Sequence, residues 1–308
     1  MELTASREAE NEKHAAALSS VVAAVFLTSF KIVVGLMTGS LGILSEAAHS
    51  GLDLVAALIT FFAVRIGGKP PDEHHTYAHG KVENFSALAE TLLLLGTSAW
   101  IIYEALQRLL VKDVEIEISI WAFLVMGLSI AIDYTRSRVL YRAARKHNSQ
   151  ALEADALHFS TDIWSSSVVI VGLLAVWLSE RVPALAFLSH ADAVSALIVA
   201  LIVIYVSLQL GKRTVDALID TAPAGLPLQI EAAVEAIPGV LDCHRVRVRT
   251  SGPHTFIDVH VVLDGQITLD KAHWLVQQVE TAIRQIAPGA DVLVHADPLA
   301  VLQRDNPD

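Results

Sequence analysis

Apolar and polar positions divide this chain of 308 residues into two parts. Six long apolar runs follow one another, at 15–38, 40–66, 84–110, 116–142, 152–179 and 190–211. About 20 apolar helical residues cross the hydrocarbon core of a bilayer, so each run predicts a transmembrane helix. Polar residues interrupt the fourth and fifth runs. Because the loops between the runs are short, we expect neighbouring helices to be antiparallel.

The last quarter of the chain has shorter patterns. LPLQIEAAVEAI predicts an amphipathic helix that ends at Pro238-Gly239. CHRVRVRT and TFIDVHVVL alternate with a period of two, which is typical of half-buried strands. LDKAHWLVQQVETAIRQI predicts a helix, and DVLVHA predicts a closing strand. The order αββαβ indicates a small α+β domain of the ferredoxin-like type.

The predicted fold is therefore an α-helical membrane protein with six transmembrane helices and a C-terminal ferredoxin-like domain in the cytoplasm. We place an N-terminal segment at 1–14, the six-helix domain at 15–212 and a linker at 213–225. The α+β domain takes 226–300, and 301–308 form a tail.

Composition supports a bilayer protein and narrows its partners. Hydrophobic residues make up 53% of the chain and the mean hydropathy is +0.50, which is high for a soluble domain. A net charge of −11 argues against a nucleic-acid partner. The single cysteine, Cys243, allows neither an intrachain disulfide nor a thiolate zinc cage. The polar first residues do not predict a cleavable signal peptide.

Positive charge predicts the orientation. Ten Lys and Arg residues fall on the side of the even-numbered loops: Arg65, Lys69, Lys81, Arg136, Arg138, Arg142, Arg145, Lys146, Lys212 and Arg213. The opposite side has Arg108, Lys112 and Arg181. Lys and Arg concentrate in cytoplasmic loops, so both termini are expected in the cytoplasm.

Two predicted transmembrane helices carry the same pair of ionisable residues. SEAAHSGLDL in the second run holds His49 and Asp53, and ALHFSTDIWSS in the fifth holds His158 and Asp162. A spacing of four residues puts both side chains of each pair on one helix face. A lone intramembrane histidine is often only a packing residue. Two such pairs are costly to bury unless they face each other or a wet cavity.

Together the two pairs offer two imidazole nitrogens and two carboxylate oxygens. This set suits a tetrahedral Zn²⁺ ion, lacks the sulfur that favours copper(I), and has too few oxygens for Ca²⁺. Protonated histidine cannot bind metal, so protons compete with the metal for the same groups. The hypothesis is a mid-membrane transport site. Glu46 is interpreted either as a rim or proton-relay group or as a polar packing residue.

Two further clusters contain metal-binding residue types. In the loop PPDEHHTYAHGK, Asp72, His75 and His79 can converge if the chain turns into the third helix, with His74 as a spare. The alternative is a solvated histidine-rich loop. The C-terminal domain offers a third set: His244, His260, His273, His295 and Asp297. These predict one or two bound metals, with Asp297 able to bridge. Arg245, Arg247 and Arg249 are interpreted as a solvated face of the first strand.

With these motifs in this order, the chain resembles the cation diffusion facilitator family, especially its bacterial zinc/iron efflux branch, over nearly its whole length. The resemblance implies a transport site at His49, Asp53, His158 and Asp162. It implies a loop site at Asp72, His75 and His79 and a binuclear site formed by the five residues of the C-terminal set. It further implies a homodimer in which Lys81 pairs with Asp220, and transport by alternating access.

One position departs from that branch, which has Asp where this chain has His49. A set of two His and two Asp looks more like the vertebrate and plant zinc carriers, which favours zinc over iron, manganese and cadmium. The resemblance thus implies a Zn²⁺/proton antiporter, with Cd²⁺, Fe²⁺, Co²⁺ or Mn²⁺ as other substrates, and zinc as a structural or regulatory ion in the C-terminal domain.

Two other functions remain open at this point. A membrane-tethered metal sensor would use the C-terminal site alone, and would leave the paired charges of the second and fifth helices unexplained. An intramembrane metallohydrolase would need an open metal position and a general base. The chain has no His-Glu-x-x-His motif. We therefore expect no enzymatic activity.

Overall fold

A computed structural model describes residues 2–110, 120–181 and 191–299. Six long helices come first: α1 (Glu2–Thr38), α2 (Leu41–Gly67), α3 (Lys81–Leu110), α4 (Ile120–His147), α5 (Gln150–Arg181) and α6 (Ala191–Leu218). The first residues of the predicted fourth run (116–119), residue 190, Lys112 and the predicted tail 301–308 lie outside the described residues.

Several helices extend further than the apolar runs predict. α1 includes the polar segment from Glu2 onward, and α6 continues through Leu218 into the predicted linker. The extended start of α1 forms ion pairs with the end of α4. Lys146 and His147 at the end of α4 lie 2.6 and 2.8 Å from the Glu12 carboxylate. Because hydropathy marks only the part of a helix that lies in lipid, it does not report where the helix ends.

The helical domain has the properties of a membrane domain. Among the described residues, α1, α2, α3 and α6 contain stretches that are long and apolar enough to cross a bilayer. α4 and α5 have 28 and 32 residues, and α4 is the more polar of the two. Large apolar side chains such as Phe26, Trp100 and Tyr205 are exposed on the outside of the bundle. The helical membrane domain is confirmed, while the number of six spans stays a prediction.

Small residues let the helices approach closely. Ala16 and Ala17 of α1 pack in one buried cluster with Ala144 of α4 and with Ala151 and Ala156 of α5. Small side chains at helix contacts are the usual means of packing helices in membranes. α4 ends at Asn148, whose φ of 50° stops the helix and lets α5 return antiparallel.

Arg136 differs from its prediction. It is counted above with the positive charges on the side of the even-numbered loops, but α4 runs to His147, and the Arg136 side chain is buried within the bundle. Its Nη1 lies 3.1 Å from Asp133 Oδ1, and its guanidinium stacks 3.5 Å from the centroid of the Phe159 ring. A buried partner, which sequence does not display, explains why this cation lies inside.

The C-terminal domain has the predicted order αββαβ. It consists of α7 (Leu226–Glu235), β1 (Asp242–Ser251), β2 (His254–Leu263), α8 (Leu269–Ile286) and β3 (Asp291–Pro298). The sheet order is β1-β2-β3, with an antiparallel first pair and a parallel second pair. Ile230, Val261 and Val279 belong to the core between helices and sheet. The small two-layer domain is confirmed.

β1 does not alternate as predicted. A register shift between His244 and Arg247 places Arg245 at a φ of 52°, so the three arginines do not share one regular face. Arg249 stacks on the loop before α3, with its guanidinium carbon 3.8 Å from the centroid of the Tyr77 ring. The prediction of a solvated arginine face is therefore wrong for Arg249, because an aromatic residue distant in sequence covers it.

The β1–β2 turn also meets the first turn of α3. The Gly252 N–H donates to Asn84 Oδ1 at 3.0 Å, and Tyr77 packs edge-on against Phe256. A side chain at Gly80 would collide with the carbonyl oxygen of Ser251. The loop, α3 and the C-terminal domain are thus in direct contact.

Candidate metal centres

The two His-Asp pairs of α2 and α5 come together inside the bundle. His158 Nε2 lies 3.2 Å from Asp53 Oδ1 and 3.6 Å from Asp162 Oδ2. His49 Nε2 lies 3.9 Å from the same Asp53 oxygen. We call these four residues the tetrad. Helix periodicity produces each pair, and the packing of α2 against α5 joins them.

Three members of the tetrad lie at separations that suit a common metal ion, and His158 contacts the two carboxylates among them. Bonds of about 2.0–2.1 Å in a tetrahedron place neighbouring ligand atoms about 3.3 Å apart. One ligand atom each from His49, Asp53 and Asp162 can be chosen so that all lie within 4.8 Å of one another. The side chain of His158 is only 5% exposed, whereas that of His49 is 43% exposed. The tetrad is therefore closed on one side and open on the other.

Glu46 lies near the open side of the tetrad and has a partner of its own. Its Oε2 lies 3.3 Å from Lys31 Nζ, which also donates to the Ser50 hydroxyl at 2.8 Å. This ion pair connects α1 with α2. The contact agrees with a packing role and does not by itself indicate a proton relay.

The loop cluster is compact and exposed. Asp72 Oδ1 lies 3.1 Å from His75 Nδ1, and Asp72 Oδ2 lies 3.2 Å from His79 Nε2. The backbone N–H of His75, followed by the N–H of His74, donates to the Asp72 carboxylate, and these bonds lower its pKa. A carboxylate that stays ionised beside two imidazoles is suited to bind a divalent cation.

The C-terminal cluster forms across neighbouring strands. His244 pairs with His260, and His260 pairs with His295 in the strand register. Asp297 Oδ2 lies 2.9 Å from His260 Nδ1 and 3.9 Å from His244 Nε2, and its Oδ1 lies 3.2 Å from His295 Nε2. Burial raises the pKa of Asp297, but the His260 hydrogen bond and the charges of the three imidazoles outweigh burial and lower it. Asp297 thus lies within 4 Å of all three imidazoles.

Two residues near this cluster have different surroundings. His273 is exposed on α8, and its Nε2 lies 3.2 Å from Gln277 Nε2; within the described part of a single chain it lies apart from the other four. Cys243 precedes His244 but is buried in the core. Burial, followed by the charges of Glu231, Glu235 and Asp242, raises the pKa of the Cys243 thiol to about 11. At neutral pH this group is therefore not a thiolate.

Lys81 and Asp220 pair within one chain. Lys81 Nζ lies 2.9 Å from Asp220 Oδ1 and donates to the carbonyl of Leu218 at 3.3 Å. This pair joins the start of α3 to the end of α6. It lies next to the loop cluster, because Lys81 follows His79 by two residues.

Other buried polar groups were not singled out from the sequence. Glu83 accepts a hydrogen bond from Ser149 and lies 3.0 Å from Lys13 Nζ, and Glu90 accepts one from Thr60. For Glu90 the sequence contains a signal, since an acid inside an apolar run is costly in the same way as the tetrad residues. Without a repeated spacing, however, the sequence did not indicate which helices their partners occupy.

Comparisons with known proteins agree with this architecture. The family model described as "Cation efflux transmembrane domain" matches residues 17–219, and the model "Cation efflux protein, cytoplasmic domain" matches residues 228–299. The chain is 35% identical to the cation-efflux pump FieF of Yersinia enterocolitica over 94% of both chains. It is 32% identical to FieF of Serratia proteamaculans over 93% of both.

Solved structures resemble the C-terminal part. One is the structure of a putative zinc transporter, CzrB, in its Zn form. The match covers 26% of this chain and 91% of that chain, at 27% identity and a TM-score of 0.24. Another is the metal-bound C-terminal domain of the CzcD transporter from Thermotoga maritima. The match covers 24% of this chain and 87% of that domain, at 31% identity and a TM-score of 0.23. The family models and the FieF relatives show that the chain is a membrane protein and belongs to the cation diffusion facilitator family of cation efflux transporters.

Proposed function

We propose that this protein exports Zn²⁺ from the cytoplasm in exchange for protons, with His49, Asp53, His158 and Asp162 as the transport site. The observation that carries the proposal is the convergence of the two His-Asp pairs. His158 touches the carboxylates of both helices, at 3.2 and 3.6 Å. No structural role requires two such pairs to meet inside an apolar bundle, where ionisable groups are costly.

The donor set supports zinc as the substrate. Two imidazole nitrogens and two carboxylate oxygens are of the type that tetrahedral zinc accepts in proteins. The softer thiolate and thioether ligands that select copper(I) are not among the four residues. Cd²⁺, Fe²⁺, Co²⁺ and Mn²⁺ remain secondary substrates in this proposal, because affinity alone discriminates poorly among divalent ions.

Proton exchange follows from the chemistry of the tetrad. In the absence of metal, His158 lies between two carboxylates, where a protonated imidazole would be stabilised. A metal ion binds only the neutral imidazole, so metal and proton exclude each other at this residue. A proton arriving from the far side would therefore displace the metal and hold the site until metal returns.

The unequal exposure of the tetrad supports alternating access. Toward the start of α5, the residues one to two turns from His158 are fully buried, including Leu152, Ala154 and Asp155. On the other side, the His49 side chain is partly exposed. If the start of α5 lies at the cytoplasmic surface, as the positive charges indicate, this conformation is closed toward the cytoplasm.

The two other clusters are proposed to have supporting functions. The loop cluster and the C-terminal cluster would bind zinc from the cytoplasm, and the second would strengthen contact between two protomers of a homodimer. In this proposal the pair of Lys81 and Asp220 holds the C-terminal domain under the membrane domain. Both termini would lie in the cytoplasm, at the bacterial inner membrane.

Flux into sealed vesicles tests the proposal. In proteoliposomes that contain a zinc-sensitive dye and a pH dye, the wild type should move zinc and protons in opposite directions. Asp162→Ala removes a charged ligand and should reduce zinc flux to that of empty vesicles. Glu153→Ala changes an acid on the surface of the same helix, where Glu153 pairs with Arg213, and should retain flux.

The outcomes separate the alternatives. Zinc binding without flux in the wild type would favour the membrane-tethered sensor. Wild-type flux in the Asp162→Ala protein would overturn the assignment of the tetrad as the transport site.

A further inference from the structure

Two acids outside the tetrad are fully buried in the bundle. Glu90 lies on α3 and Asp155 lies on α5, and both have an exposed fraction of 0%. α3 packs against α5, and the charge of Asp155 acts on the Glu90 carboxyl. Asp155 precedes His158 by three residues, or about 4.5 Å of helix rise. The two acids therefore lie beside the tetrad, on its closed side.

Each carboxyl group has one neutral donor and one oxygen without a partner. The Thr60 hydroxyl donates to Oε1 of Glu90, and the Ser20 hydroxyl donates to Oδ2 of Asp155 at 3.0 Å. Within the described part of the chain, Oε2 of Glu90 and Oδ1 of Asp155 are buried without a hydrogen-bond partner. A hydrogen bond from one neutral donor does not offset the free-energy cost of removing an ionised carboxylate from water.

The nearby cations Arg136 and Lys31 form ion pairs with other acids. Arg136 pairs with Asp133 at 3.1 Å and reaches Asp155 only through Ser20, to which its Nη2 donates at 3.1 Å. Lys31 pairs with Glu46 near the open side of the tetrad.

Apart from Arg136 and Asp155 itself, the charged groups that act most strongly on the two acids belong to the tetrad. In the described chain, the titratable groups that act on Glu90 are Asp155 and His158. Those that act on Asp155 include Arg136, His158 and Asp53. Glu90 thus interacts with fewer cations than Asp155 does.

Charge balance then requires a proton. In the metal-free chain, a protonated His158 compensates for part of the charge of Asp53 and Asp162, and Arg136 compensates for that of Asp133. Among the described residues, neither Asp155 nor Glu90 forms a direct ion pair with a cation; the charge of Arg136 acts on Asp155, but its guanidinium bonds to Ser20. Two neighbouring buried carboxyl groups in this situation share one proton, because they do not both ionise. The proton resides on Glu90, because fewer cations offset the negative charge of its carboxylate than that of Asp155.

We propose that Glu90 and Asp155 form a proton-binding site that holds one proton in the metal-free protein and releases it when a divalent cation binds the tetrad. The inference rests on the proposed function, which it deepens by adding a proton outside the metal ligands. The arriving cation brings two positive charges to His158, one turn from Asp155, and repels the stored proton. The O–H bond of Glu90 breaks, the carboxylate keeps the electron pair, and the proton passes to water.

Counting the protons released per bound zinc tests this site. All proteins carry Asp72→Ala, His260→Ala and Asp297→Ala, so that zinc binds only the tetrad. The purified full chain is titrated with zinc alone in weak buffer, and bound zinc and released protons are measured in the same sample. Glu90→Gln should release about one proton fewer per zinc than its parent, because the amide keeps the shape of the protonated acid but has no proton to lose.

Three further variants make the result specific. Asp155→Asn should also release one proton fewer, since the remaining acid can then ionise before metal arrives; it serves as the second test if Glu90→Gln does not fold. Thr60→Val removes the hydroxyl beside Glu90 but keeps both acids, so it should release as many protons per zinc as the parent. A change in the count caused only by disturbed packing would appear in this variant as well. Glu153→Gln, the same chemical change on the surface of α5, should leave the count unchanged.

The failures are distinguishable. If the parent protein binds no zinc, the tetrad assignment fails, and the inference fails with it. If the parent binds zinc and both Glu90→Gln and Asp155→Asn release as many protons as the parent, the inference alone is overturned.

Discussion

The tetrad and the C-terminal cluster use the same residue types in opposite surroundings. The tetrad lies within a helix bundle, where His158 is almost completely buried between two carboxylates. The C-terminal cluster lies across a sheet, and the side chain of His295 is 62% exposed. Burying ionisable groups in an apolar bundle costs free energy, so such groups usually have a function. The same groups at a hydrated surface cost little. The tetrad is therefore the stronger indication of an obligatory site, and the C-terminal cluster fits a regulatory one.

The sharpest contrast between the two regions is the effect of removing metal-binding side chains from each. Asp297 touches three imidazoles of its cluster, as His158 touches two carboxylates of the tetrad. We expect His260→Ala with Asp297→Ala to slow zinc flux several-fold without abolishing it, because the tetrad remains intact. Asp162→Ala, by contrast, should abolish flux. Initial rates in proteoliposomes of equal protein content measure both effects.

The same double change should separate metal binding from folding. Zinc that binds only the folded domain raises its melting temperature by mass action. The shift should disappear in the double variant, while the metal-free melting temperature stays close to that of the wild type, since the core around Ile230 and Val279 is unchanged. A full zinc-dependent shift in the double variant would place the stabilising metal elsewhere.

Selectivity provides a smaller effect that depends on the tetrad alone. His49→Asp converts the ligand set to one nitrogen and three oxygens, which is harder and should bind harder divalent ions relatively better. The ratio of Mn²⁺ transport to Zn²⁺ transport should rise, as measured by competition in the same vesicles. His74→Ala, an exposed histidine of the loop, is the control and should leave the ranking unchanged. An unchanged ranking in the His49→Asp protein would mean that helix packing decides selectivity.

The smallest expected effect concerns the contact between the two domains. Asn84→Ala removes the acceptor of the Gly252 N–H. Loss of one such hydrogen bond costs about 1 kcal/mol, which corresponds to roughly a fivefold faster amide exchange at Gly252. Hydrogen exchange with mass spectrometry of the β1–β2 turn measures this change. Exchange in the core strand β2 should not change, and equal acceleration of both would indicate global destabilisation instead.

The sequence predicted those features that depend on local periodicity. The repeated spacing of His49 with Asp53 and of His158 with Asp162 determines a shared helix face, and the packing of α2 against α5 did the rest. The αββαβ order followed from alternation in the same way. The convergence of Asp72, His75 and His79 was also expected, because the loop is short and Pro71 precedes a turn toward α3.

Contacts between distant segments could not be predicted. Arg249 stacks on Tyr77 across 172 positions of sequence, and a register shift in β1 breaks the alternation that predicted a solvated face. Arg136 lies inside the bundle because Asp133, Ser20 and Phe159 surround it. His273 was grouped with the C-terminal ligands by residue type and by the family resemblance, and in the single chain it lies on the exposed face of α8. Each of these depends on three-dimensional packing that composition does not encode.

The central claim is that the tetrad binds zinc through two nitrogens and two oxygens. Zinc X-ray absorption on the full chain with Asp72→Ala, His260→Ala and Asp297→Ala observes this shell directly. The account predicts one zinc per chain with four nitrogen or oxygen ligands at about 2.0–2.1 Å, two of them imidazoles, and loss of that ion in the additional Asp162→Ala variant. A six-coordinate shell of oxygens, or the same spectrum after Asp162→Ala, would contradict it.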